Sequence, residues 1–221
     1  MSNNIFVFIF FDFIGQLLIL GIGYETRNYI SEAVLGLMTS LFSLFLLIYF
    51  FGLYRKENIK QLNQNKIHWR SVIVGMAAVI ILKFVFGIVT ILILGEKKAI
   101  LDLEAQSNSI FNFKSAVDFI LIMFQVGILS PVFEELFYRG IIFNKLRSKF
   151  NLLISIIVSS IVFGLVHVYP ALIIWSFLIG ITLCLFYVKT KNIIATMFLH
   201  SAVNLLPFIL MLISGLQKLL N

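Results

Sequence analysis

The chain carries the run Ser130-Pro131-Val132-Phe133-Glu134-Glu135-Leu136-Phe137-Tyr138-Arg139-Gly140. It lies inside a long apolar sequence, where two adjacent acids are expensive to keep and mark a functional site by default. Beyond Glu135 there is no further Asp or Glu, and two of the three histidines, His167 and His200, follow it. The reading that organises the rest is that the chain brings those two histidines to Glu134.

Working outward, the apolar context is general. Of 221 residues, 61% are hydrophobic and 12% charged, with 24 Phe and a mean hydropathy of +1.05. Soluble domains carry about 45–50% apolar and about 25% charged residues. Several runs exceed the roughly 18 apolar residues that mark a spanning helix. They are continuous rather than alternating, which excludes a β-barrel. The expected fold is all-α, a polytopic transmembrane bundle of about seven spanning helices.

The segments run from about Ile5 to Ile22, Ala33 to Tyr54, Ser71 to Leu94, Ala116 past the acidic pair, Leu152 to Val168, Ala171 to Val188 and Ile193 to Ser214. Tyr169-Pro170 reads as a turn. The first segment lacks a basic leader and a small-residue cleavage site, so it reads as a spanning helix rather than a signal peptide. Residues 1–115 contribute generic spanning helices and residues 116–214 the chemistry-bearing core, within one membrane domain.

The net charge of +7 is not a nucleic-acid signal. Its basic residues sit in short loops: Arg55 to Arg70, Arg139 to Lys149, and Lys189 with Lys191. Placing those three on one side puts most of the basic residues in the cytoplasm, with the N-terminus inside and the C-terminus outside. Cys184 is alone, so no intramolecular disulfide or cysteine metal site is available, and it reads as packing. Ser155, Ser159, Ser160 and Gly164 have the small-residue spacing of close helix contacts. Asp12 and Lys83 fall within segments one and three, where they would pair or snorkel. Gln125 reads as interhelical, and His68 as solvated. The Arg55–Arg70 loop could bind anionic membrane lipid, but its topogenic role is the simpler reading.

Neighbouring residues on a helix point about 100° apart, so Glu134 and Glu135 face different ways. Glu135 and Arg139 have the i,i+4 spacing and the order that favour an ion pair. Glu134 has no such partner, and an unpaired carboxylate in a dry site suits general acid–base work. Phe163 and His167, and likewise His200 and Asn204, are each four apart and share a face. Taken singly, each is ordinary polar glue between membrane helices. Geometry links them: Glu134 lies 16 residues before Phe150, and His167 lies 16 after Asn151. A helical hairpin turning there sets both about 24 Å from the turn. That requires the fourth helix to continue past Gly140. His200 lies only about 14 Å from the basic end of its own helix. The depths agree if the hairpin projects about 10 Å further from the membrane.

The set Glu134-Glu135-x-x-x-Arg139, Phe163-x-x-x-His167 and His200-x-x-x-Asn204, in this order on successive helices, resembles the CAAX protease and bacteriocin-processing (CPBP, or Abi) family of intramembrane proteases. The resemblance covers about Ala116 to Leu212. It implies hydrolysis of a peptide bond near the C-terminus of a membrane-associated or lipid-modified peptide or protein. By motif, Glu134 and His167 would activate the attacking water, and His200 and Asn204 would support the oxyanion. Glu135, Arg139 and Phe163 would be supporting residues. The family has been classed as metalloproteases, and Glu134, His167 and His200 could supply a zinc site with an open water position. A metal-free Glu/His pair could do the same by general-base catalysis, and the reading leans that way. The eukaryotic branch implies prenylated substrates. The Ile-, Phe- and Asn-rich composition points to a bacterial cell membrane and to bacteriocin or pheromone precursors. The competing reading is a non-enzymatic immunity or regulatory membrane partner, which needs no water-activating pair. A transporter using Glu134 as a proton relay is a third, unsupported by any broken-helix repeat.

Overall fold

The computed structural model describes residues 2–25, 31–52, 60–98, 113–167 and 170–220. Among the described residues seven main helices follow in order: α1 (Ser2–Glu25), α2 (Glu32–Phe51), α3 (Trp69–Leu94), α4 (Ala116–Arg147), α5 (Leu152–Leu165), α6 (Pro170–Thr190) and α7 (Ile193–Leu220). Among the described residues there is no strand, only an isolated bridge between Asn63 and Asn192. Helices α2, α3, α4, α6 and α7 are long and apolar enough to cross a membrane, while α5 and the apolar run Val7–Ile19 of α1 are shorter. The chain is an all-α, multi-pass integral membrane protein. At 14 residues α5 is about 21 Å long, less than the roughly 30 Å hydrocarbon core. Residues 168–169 of the expected turn fall outside the described residues, as do Arg55, Lys56, Glu57, Asp102 and Glu104.

Local chemistry sets the helix ends. Ser31, Ser115 and Asn151 cap α2, α4 and α5, each accepting a backbone N–H three residues on. Gly52 closes α2 at φ 59°, a left-handed position that a side chain disfavours. Within α4 the winding changes. Gln125–Leu129 and Glu135–Phe143 are π-helical, with α-helical Ser130–Glu134 between them. Pro131 offers no N–H to the carbonyl of Gly127 and crowds it, which accounts for the first wide turn. The helix does continue past Gly140, as the hairpin argument requires.

The chain packs as two compact units. One comprises Met1–Leu62, Phe113–Phe133 and Asn204–Asn221. Here α1 and α2 meet where Gly15 leaves room for the Phe42 ring, and Gly36 of α2 faces the Gln125 amide, the interhelical role expected for Gln125. Phe113, Phe119 and Phe208 form an aromatic cluster. The Asp12 carboxylate accepts from Gln16 at 2.8 Å, and the same amide nitrogen lies 3.1 Å from Ser43 Oγ.

The other unit comprises Asn63–Asn112 and Glu134–Val203. Its centre is the α5–α6 contact. A Cβ at Gly164 would stand 2.8 Å from the Ile173 carbonyl oxygen, and one at Gly180 would stand 3.0 Å from Ser160 Cβ. The small residues that read as packing signals therefore let two backbones touch. Cys184 is buried there, also as packing. Lys83 lies over the Trp175 ring at 6.0 Å. Asp12 and Lys83, expected to pair or snorkel, each have a neighbour within their own unit: Gln16 for Asp12 and the Trp175 ring for Lys83. His68 is exposed, as expected. At the unit's polar end, Gln64 N donates to the Lys191 carbonyl at 2.9 Å, and the Asn192 amide donates to the Asn65 carbonyl. The stretch before α3 and the α6–α7 turn therefore lie at the same end, as the charge pattern requires.

Candidate active site

Glu135 stands at the first π-helical position of α4 and is fully buried. Its Oε1 accepts from Arg139 Nη1 at 2.7 Å. The spacing predicts this pair for an α-helix, and it survives the π winding because residues four apart still share nearly one face. Arg139 is 1% exposed and also donates Nη2 to the Gly180 carbonyl at 3.2 Å. Its guanidinium carbon lies 4.6 Å from the centre of the Phe163 ring, a cation–π contact in a desolvated site.

The same Glu135 oxygen lies 2.7 Å from His200 Nδ1. A carboxylate can only accept, so Nδ1 carries a proton and donates it. The bond fixes the ring of the buried His200 and turns Nε2 toward Glu134, whose Oε2 is 3.6 Å away. That gap is too long for a hydrogen bond but within ion-pair reach. Glu134 itself is 23% exposed at its side chain, whereas Glu135 is sealed. The two acids thus differ in surroundings as their 100° separation implies.

His167 lies just past the end of α5, half-buried, with Nδ1 3.1 Å from the Phe163 carbonyl. The carbonyl accepts, so Nδ1 donates and Nε2 keeps its lone pair. Phe163 stands edge-on to both histidines, at 5.5 Å from His167 and 5.9 Å from His200. The short contact to Glu134 is made by His200, where the sequence reading expected His167 to face it. The reason is the Glu135 anchor, which no sequence spacing reveals: residues 135 and 200 are brought together by the packing of α4 and α7.

Asn204, one turn after His200 on α7, belongs to the other compact unit, where its amide donates to the Val126 carbonyl at 3.0 Å in the first π turn of α4. Two further contacts were not anticipated: the Gly180 carbonyl on Arg139, and Ser159 Oγ donating to the Tyr138 carbonyl at 3.3 Å. Among the described residues, no three His, Cys, Asp or Glu side chains are arranged to hold a metal ion, the set Glu134, His167 and His200 included.

Residues 116–206 match the family model described as Type II CAAX prenyl endopeptidase Rce1-like. Over 86 residues the chain is 33% identical to "Putative membrane peptidase YdiL" of Bacillus subtilis, covering 39% of this chain and 35% of that protein. The chain thus spans about a third of that relative's length. It is 26% identical over 153 residues to "UPF0177 protein YxdF" of Lactococcus lactis, covering 69% of this chain and 81% of that one. No solved structure gives a significant match.

Fold and site define a multi-pass membrane protein with a carboxylate–histidine centre on three helices. Its residues 116–206, which hold all three motifs, are similar to the family described as Type II CAAX prenyl endopeptidase Rce1-like and, in part, to the putative membrane peptidase.

Proposed function

We propose that the chain is an intramembrane endopeptidase that hydrolyses a peptide bond near the C-terminus of a membrane-associated or lipid-modified peptide or protein, using water activated by Glu134 and the histidines. One observation carries this reading: a single buried oxygen of Glu135 holds both Arg139 and His200, which leaves Glu134 partly accessible and faced by His200 Nε2 at 3.6 Å. A purely structural acid pair would have no need of one anchored and one accessible member.

In this mechanism Glu134 takes a proton from the attacking water as general base. His167 Nε2, an acceptor while Nδ1 is committed to Phe163, holds the water's second hydrogen. The water oxygen bonds to the scissile carbonyl carbon, and the carbonyl oxygen becomes an oxyanion. His200, its ring fixed by Glu135, donates from Nε2–H in its protonated form to that oxygen, a contact that gains strength as charge develops. Glu134 then returns the proton to the leaving amine as the C–N bond breaks. The resemblance alone assigns Asn204 a second oxyanion contact.

The substrates proposed are prenylated peptides or bacteriocin or pheromone precursors, met within the lipid of a bacterial cell membrane with the N-terminus of the chain in the cytoplasm. The test is cleavage of membrane-bound precursor peptides by purified protein. Wild type is expected to cleave, and Glu134→Gln and His167→Ala to be folded but inactive. Full activity in either variant would overturn the assignment.

A further inference from the structure

The end of the second unit where α3 begins and α6 meets α7 is closed by backbone and amide bonds. Asn63 and Asn192 form an antiparallel bridge. Beside it Gln64 N donates to the Lys191 carbonyl at 2.9 Å, and the Asn65 amide donates to the Thr190 carbonyl at 3.0 Å. Asn192, 4% exposed, donates its amide to the Asn65 carbonyl at 2.6 Å and accepts from Ala195 N in the first turn of α7. This closure gathers charge of one sign. Lys66 follows Asn65, Lys189 precedes Thr190, Lys191 is itself bonded, and Arg70 stands in the first turn of α3. All four side chains are exposed, and none makes an ion pair among the described residues. The described acids of this unit are elsewhere: Glu96 lies past the opposite end of α3, and Glu134 and Glu135 are in the site. Like charges gathered with no carboxylate among them repel one another and attract an anion.

Two further features separate this cluster from basic residues that only set topology. Lys191 has φ 49° and is the one non-glycine residue with a positive φ among the described residues. It closes α6 by donating its N–H to the Tyr187 carbonyl at 2.7 Å. Glycine is the usual residue at such a helix end, because a Cβ is disfavoured there. Orientation in the membrane asks only that positive charge be on the loop and makes no demand on that backbone. The second feature is aromatic. Trp69, beside Arg70, is 57% exposed and its ring lies 5.3 Å from that of Phe198 on α7, itself 46% exposed. Tryptophan at the end of a spanning helix marks the headgroup level of the bilayer.

We infer that the segments 63–70 and 189–192 form a binding site for the phosphate of one anionic phospholipid, with its acyl chains lying along Trp69 and Phe198. The four cations supply the charge, the clasp holds them together, and the aromatic pair supplies an apolar surface that a soluble anion would not use. This site is separate from the carboxylate–histidine centre and does not depend on the endopeptidase reading.

The experiment uses the full chain in detergent, with phosphatidylglycerol or phosphatidylcholine of the same acyl chains added. Bound lipid is counted by native mass spectrometry and thermal unfolding is followed in parallel. Wild type should retain one phosphatidylglycerol saturably and melt higher with it, and should do neither with phosphatidylcholine. The double variant Lys66→Gln/Lys191→Gln should bind about 25-fold more weakly, about fivefold for each charge lost. The pair Lys97→Gln/Lys98→Gln, at the opposite end of α3, should bind within about twofold of wild type. Lys191→Gly, which suits the left-handed backbone, should melt higher than wild type without lipid yet respond less to phosphatidylglycerol. Equal retention of the two lipids overturns the inference. So does wild-type affinity in the double variant, or an equal loss in the Lys97/Lys98 pair, which would mean diffuse surface charge. A full phosphatidylglycerol response in Lys191→Gly also overturns it. If inorganic phosphate alone raises the melting temperature as far as phosphatidylglycerol does, the cluster reads a free anion and the lipid assignment falls.

Discussion

His200 Nδ1 donates to the same Glu135 oxygen that holds Arg139, each at 2.7 Å. One carboxylate oxygen thus ties α4 to α7 and sets the histidine ring. Removing it strands the Arg139 charge at 1% exposure. Breaking a buried pair from one side typically costs about 3–5 kcal/mol. Glu135→Ala should therefore unfold at a distinctly lower temperature in detergent than wild type. Glu134→Ala, which removes a partly accessible acid, should unfold close to wild type. Equal melting of the two alanine variants would show that Glu135 is not the anchor.

Glu134 and His167 should behave as a functional unit. Each contribution of a general base is worth about 10²–10⁴-fold in rate. Glu134→Gln and His167→Ala should each lose activity by that order in single-turnover assays. The double variant should lose little more than the worse single one, since the two act on the same water. Additive losses would mean that they serve separate steps.

The membrane class and the helix order were legible because a spanning helix needs only length and apolarity, both local properties. The Glu135–Arg139 pair was legible because its spacing is intrahelical. The contact between Glu135 and His200 was not, since it joins residues 65 apart through tertiary packing. The same limit applies to the Gly180 carbonyl on Arg139: a backbone acceptor leaves no mark on a sequence. The π turns of α4 were also hidden. Pro131 gives a hint of the first, whereas the second begins at Glu135 with no breaker residue at its start. Asp12 and Lys83 show in the sequence only as charges in apolar runs; their neighbours Gln16 and the Trp175 ring carry no charge and so leave no mark there.

Packing at Gly164 gives a stability prediction independent of the chemistry. A methyl group there would stand 2.8 Å from a backbone oxygen of α6, which cannot rotate away as a side chain could. Gly164→Ala should force α5 and α6 apart and cost about 1–3 kcal/mol, the range of overpacked cores. Because His167 follows within one turn, activity should fall as well. Unchanged thermal unfolding in Gly164→Ala would show that the two helices can separate freely.

Chelation separates the two chemistries the motifs allow. Proteolysis routed through Glu134 and the histidines alone should survive prolonged treatment with a zinc chelator, with kcat unchanged within about twofold. Loss of activity on chelation, with recovery on adding Zn²⁺ but not Mg²⁺, would indicate a zinc-bound water and require Glu134, His167 and His200 to close up around it. Metal analysis of the purified protein, read as zinc per chain, gives the same decision without an activity assay.

The polar clasp at one end of the second unit fixes topology. Gln64 N and Asn65 N both point to the Lys191 carbonyl, at 2.9 Å and 3.4 Å, and the Asn65 amide donates to the Thr190 carbonyl at 3.0 Å. Residues 64–65 and 190–191 must therefore share one face of the membrane, and crossing α3 puts Glu96 on the other. With the buried Cys184 replaced by Ser, Lys66→Cys and Lys191→Cys should react with a membrane-impermeant maleimide from the same side, and Glu96→Cys from the opposite side. On the positive-inside expectation that the shared side is the cytoplasm, intact cells should protect the first two and expose the third. Labelling of Lys66→Cys and Lys191→Cys from opposite sides would be incompatible with the clasp. Labelling of all three from one side would mean that α3 does not cross.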